Sequence, residues 1–81
     1  MDDLLDSMRR NPAADWTMND VARICGQHRV RCTPPTGGGS HYKMSHPSRR
    51  EILTISRAKP VKPVNIRKLV KFIEALGRAD A

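Results

Sequence analysis

The residues of this chain best suited to chemistry lie in one short stretch, Gly38-Gly39-Ser40-His41-Tyr42-Lys43-Met44-Ser45-His46-Pro47. Histidine is the side chain whose ordinary titration spans the neutral range, so it can both accept and give a proton there. From Ser40 to His46 the residues alternate as a strand does, which sets His41 and Lys43 on the face opposite Tyr42 and Met44. A neutral imidazole on an open face can take the proton of a ribose 2′-hydroxyl, so that the oxygen attacks the adjoining phosphate. A lysine or arginine beside it can stabilise the negative charge that develops. Such chemistry asks for RNA as substrate and requires no metal; read from the residues alone, a lone surface histidine more often has no role.

A base is only half of the proton traffic, because the leaving 5′-oxygen needs a proton too. His46 is the candidate acid, although strict alternation puts it on the opposite face and its place before Pro47 suits a turn. His28, at the start of the preceding strand, has less to offer. Cys25, His28 and Cys32 could be drawn as metal ligands with His41 or His46, but their spacing matches no zinc pattern, so neither metal nor cofactor is expected. Gly37-Gly38-Gly39 could bring backbone N–H groups close to a phosphate. It lacks the Gly-Lys-Ser/Thr of a P-loop, and a flexible hairpin loop is the simpler account.

The candidate phosphate track is Lys43, Arg57, Lys59, Lys62, Lys68 and Lys71. A charge run is commonly just a solvated face, and here the overall balance decides. The net charge is +7, yet the first twenty residues hold five aspartates against Arg9 and Arg10, a net −3, so the remaining 61 carry +10. A basic body of this kind suits a polyanion, and the acidic arm could fold over it or meet a partner.

The elements that must position these groups follow from pattern. A chain of 81 residues buries only about 60% of its unfolded surface, so its core is thin and its chemistry belongs on a surface or shallow groove. Residues 1–15 read as an acidic arm with a short, loosely attached helix over Asp2 to Arg10, broken at Asn11-Pro12. Thr17 and Asp20 form a variant capping box for a second helix, whose apolar stripe is Met18, Val21, Ala22 and Cys25 and whose stop is Gly26. From His28 the period changes, with Val30 and Cys32 on one face of a strand that ends at the Thr33 to Gly39 loop. A second strand, Ser40 to His46, and a third, Glu51 to Ser56, complete an antiparallel meander. After a basic linker, Arg57 to Lys62, Pro63 opens a last helix that Gly77 ends. The expected fold is therefore α+β: an α-β-β-β-α unit over residues 16–77, a three-stranded antiparallel sheet with both helices on one face, the short helical extension before it and a tail at 78–81. This is the order of the double-stranded-RNA-binding fold.

No run approaches the ~20 apolar residues that span a bilayer, and Met1-Asp2-Asp3 has the wrong charge for a signal peptide. The expectation is a cytoplasmic protein without a membrane partner, its two cysteines reduced.

A strand reading Gly-Ser-His, a His-Pro a few residues later, a third strand, a basic linker and a helix together resemble the HicA family of toxin ribonucleases. The resemblance covers about Thr17 to Leu76. It implies that His41 is the catalytic residue, that the activity is mRNA cleavage as the toxin of a type II toxin-antitoxin pair, and that a HicB-type antitoxin protein covers the site. The chain departs from the usual member in its Pro34-Pro35-Thr36-Gly37-Gly38 insertion and in its amino-terminal arm. Two other readings compete. One is a non-catalytic RNA-binding module of the same fold. The other is a DNA-binding regulator, for which no helix-turn-helix signature is present.

Overall fold

The computed structural model of the chain describes residues 4–37 and 39–79. Helix α1 (Leu4–Arg10) and helix α2 (Met18–Gln27) precede strands β1 (Arg31–Thr33), β2 (His41–His46) and β3 (Arg49–Ser56), and helix α3 (Pro63–Ala79) closes the chain. The strands form one antiparallel sheet in the order β1-β2-β3. The α+β class and the α-β-β-β-α order agree with the sequence pattern. Among the described residues no helix is long and apolar enough to cross a membrane.

The start of α2 forms from its own residues. The Thr17 hydroxyl accepts from the Asp20 N–H at 3.2 Å, and the Asp20 carboxylate accepts from the Thr17 N–H at 2.9 Å, so two otherwise orphaned donors are satisfied. The Val61 N–H then donates to the Trp16 carbonyl at 2.8 Å, tying the linker before α3 to the entrance of α2.

The end of α2 departs from expectation. Gly26 does not stop the helix; it lies inside it. The left-handed residue is Arg29, at φ 60°, and the Val30 N–H reaches back to the Cys25 carbonyl at 2.8 Å while the Arg29 N–H reaches Gly26. These two bonds make a Schellman closure, with buried Val30 against buried Cys25. The closure consumes residues 28–30, which is why β1 begins at Arg31 and not at His28. A left-handed L-residue costs about 1–2 kcal/mol. Arg29→Gly is accordingly expected to raise stability by about 0.5–1 kcal/mol net of glycine's greater unfolded freedom, measured by urea denaturation. Gly77 likewise does not end α3, which runs on to Ala79; glycine permits a stop without enforcing one.

The core lies between the sheet and the helices. Val21, Ile24 and Cys25 of α2, Met44 and Ile55 of the sheet, and Ile66, Leu69 and Ile73 of α3 are all buried. Helix α1, expected to be loosely attached, joins this core: Met8 has no exposed surface and Leu4 is buried. Its polar contact is opposite in sign to that expected of an acidic arm on a basic body. Arg9 Nε meets Glu74 Oε2 of α3 at 2.9 Å, while Asp6 is taken up within α1 by Arg9 and Arg10.

Register settles which side chains share a face. Lys43 stands between Thr33 and Thr54, Met44 between Cys32 and Leu53, and His41 opposite Ser56. Near the end of β2 the ladder is irregular: Met44 pairs with Leu53 but His46 with Arg49, so Arg50, Glu51 and Ile52 bulge against Ser45 alone. The two thiols meet on the covered face. Burial, with Cys32 beside it, pushes the Cys25 thiol up to about 12, and burial also raises half-buried Cys32. Neither is poised as a nucleophile near neutral pH.

Candidate nucleic-acid interface

One face of the sheet carries the helices and the other is open. Because Met44 and Ile55 point into the core, alternation puts Arg31 and Thr33 of β1, His41, Lys43 and Ser45 of β2, and Thr54 and Ser56 of β3 on the open face. Beside the His41 imidazole these are cationic or hydroxyl-bearing side chains without a carboxylate among them, and exposed Ile52 stands at their rim. The sheet thus holds His41 and Lys43 on the same exposed surface, two residues apart on one strand.

Among the described residues, no hydrogen bond or ion pair holds the His41 imidazole. It is free to meet a ligand, and no carboxylate orients it. His46 is placed very differently. Its Nδ1 accepts from the Ser48 N–H at 3.0 Å and lies 2.8 Å from Ser48 Oγ, so the ring braces the β2–β3 turn. Five strand steps separate the two histidines, roughly 17 Å, and they sit on opposite faces. That placement removes His46 as proton donor to a group bound at His41, and among the described residues no other acid takes its place there. Among the described residues no three His, Cys, Asp or Glu side chains gather as metal ligands would.

The six candidate cations do not form one track. Lys43 lies on the open face. Arg57 and Lys59 line a groove with Ser40, Tyr42 and the first turn of α2, and the Arg57 N–H donates to the Ser40 carbonyl at 2.6 Å, which extends the β2–β3 ladder next to His41. The Lys59–Pro60 peptide bond in this groove is cis. Lys68 and Lys71 project from α3 into a different groove, along the outer edge of β3 with Ile52 and Phe72. Lys62 is exposed at the start of α3 and belongs to neither groove. Arg49, also at the β3 edge, is engaged by Glu51 and by the Phe72 ring, 5.5 Å from its centroid.

Arg31 was missed as a site residue. The alternation that picked out Lys43 applies equally to Arg31, which is exposed and pairs with Ser45 on the open face. Of the glycine run, Gly37 takes a left-handed φ of 58° and the Gly39 N–H donates to the Thr36 carbonyl at 3.2 Å, forming a tight turn. Gly38 lies outside the described residues.

Compared with known proteins, the chain has no significant match to a family model, to a curated protein or to a solved structure.

Proposed function

We propose that this protein is a metal-independent endoribonuclease of the HicA toxin type, built on a double-stranded-RNA-binding-like fold and acting on mRNA in the cytoplasm. The observation that carries the reading is His41: an imidazole held by no partner among the described residues, on an exposed sheet face where Lys43 and no described carboxylate stands. In its neutral form the ring removes the proton of a ribose 2′-hydroxyl, the freed oxygen bonds to the adjoining phosphorus, and the bond to the 5′-oxygen breaks. One product ends in a 2′,3′-cyclic phosphate and the other in a 5′-hydroxyl. Lys43, on the same face, is the cation best placed to stabilise the added negative charge, and a proton for the leaving oxygen comes from the imidazolium or from water. A HicB-type antitoxin laid over the open face would cover His41 and end the activity.

One observation favours a second reading. Among the described residues no acid and no orienting carboxylate reaches His41, as would suit a module that holds RNA without cutting it. Purified protein incubated in excess chelator with an RNA, and with the same strand fully 2′-deoxy, separates the two. The expected result is cleavage of the RNA alone, leaving cyclic phosphate ends. Cleavage of the deoxy strand would sink the mechanism, and binding of RNA without cleavage would favour the non-catalytic module.

A further inference from the structure

At the end of the sheet away from His41, a shallow groove is lined by Arg29, Val30, Arg31, Ser45, His46 and Pro47. Three observations distinguish it from a solvated basic surface. First, its cations have no ion-pair partner among the described residues. Of the described carboxylates, Asp6 and Glu74 are taken by α1 arginines, Glu51 by Arg49 and Asp20 by the α2 cap, Asp15 makes no ion pair, and none reaches Arg29 or Arg31. Second, the half-buried His46 ring has a fixed orientation. Its Nδ1 accepts a backbone N–H from Ser48, so in the neutral ring the proton resides on Nε2 and is available as a donor. Third, Arg29 is held in the left-handed region, where glycine would be the easier residue. A strained backbone that presents a charged side chain is the pattern expected where the side chain has a task.

We infer that this groove is a phosphate subsite, in which the Arg29 and Arg31 guanidinium groups and His46 Nε2–H receive one phosphodiester of a bound RNA strand at the end of the sheet. The inference rests on the RNA reading for its ligand. Guanidinium groups match phosphate oxygens in pairs, and an imidazole N–H donor completes such a cradle. Arg31 and Ser45 lie directly opposite each other in the β1–β2 ladder. Four strand steps along β2 separate Ser45 from His41, roughly 13 Å. A strand crossing the open face from His41 past Lys43 thus arrives at this groove, which sets its register at the scissile phosphate.

The test uses Arg29→Gly, which keeps the backbone conformation that the native chain already adopts, alone and with Arg31→Gln. RNA binding is followed by fluorescence anisotropy over a salt series, and inorganic phosphate is titrated while the His46 ring resonances are recorded. The double variant is expected to melt no lower than Arg31→Gln alone and to bind RNA roughly tenfold more weakly. Its log-log salt slope should become shallower by about 0.7, the share of one phosphate that is no longer neutralised. In the native chain phosphate should move the His46 signals to saturation, and in the Arg29→Gly variant it should not. Unchanged RNA affinity and slope in a folded double variant would overturn the subsite and leave the RNA reading standing. A native chain that binds no RNA while phosphate still moves His46 would overturn the RNA reading and leave the groove as an anion site. A native chain whose His46 signals ignore phosphate would overturn the groove.

Discussion

Replacing His41 with alanine is expected to lower RNA cleavage about 10²–10⁴-fold, the usual contribution of a positioned general base, with the fold and RNA affinity nearly unchanged. The two halves of that expectation have separate grounds. The imidazole is exposed and makes no hydrogen bond or ion pair among the described residues, so its removal breaks no native interaction and leaves no buried group unsatisfied. On the proposed reading, RNA affinity is carried by cations on other residues, and these remain. His41→Gln is the companion variant, since it keeps a polar group of similar reach but has no basic nitrogen, and it should be as inactive as alanine. Single-turnover cleavage, circular dichroism and anisotropy on the three proteins decide the matter. A His41→Ala protein that cuts at the native rate would dismiss His41 as the base, whichever residue then took its role.

The second large effect is on stability. Met8→Ala is expected to cost about 2–5 kcal/mol, as emptying a buried methionine site does elsewhere. With roughly 4–8 °C of melting temperature per kcal/mol in a domain of this size, that is a fall of about 10 °C or more. Met8 has no exposed surface, and its neighbours on the same helix, Leu4 inward and Arg9 to Glu74, fix α1 against α3. Breaking the exposed Arg9 to Glu74 pair alone should cost under about 1 kcal/mol, so the methionine and not the ion pair anchors the arm. A Met8→Ala change that cost as little as the ion pair would mean that α1 rides on the domain without supporting it.

These two residues mark how far local pattern reaches. The alternation around His41 is a property of six consecutive residues, and β2 folds as that alternation requires; the Thr17 and Asp20 cap and the apolar period of α3 are local in the same way. Met8 is different. Its two apolar neighbours in sequence suit a marginal helix, and what holds it is a surface of α3 more than fifty residues away, which no spacing within residues 1–15 encodes. The same holds for the cations. Lys43, Arg57 and Lys68 look alike along the chain, yet the fold sends them to the open face, the α2 groove and the β3 edge. Glycine misled twice, since a residue able to adopt a left-handed turn is no guarantee that the turn falls there. At the end of α2 the hydrogen bonds to Cys25 and Gly26 put it on Arg29. Strict alternation did place His46 on the face opposite His41, but its bond to Ser48 depends on a turn geometry that alternation does not describe.

The bulge of Arg50, Glu51 and Ile52 bears on how copies of this chain behave toward one another. β3 is the longer of the two outer strands, eight residues against three, and its free edge is a template on which a second β3 could pair. Where three residues crowd against Ser45, the edge loses its regular spacing of donors and acceptors just where Ile52 would make such pairing attractive, and the charges of Arg50 and Glu51 flank it. The irregular edge thus works against copies of this chain stacking into fibres of their own.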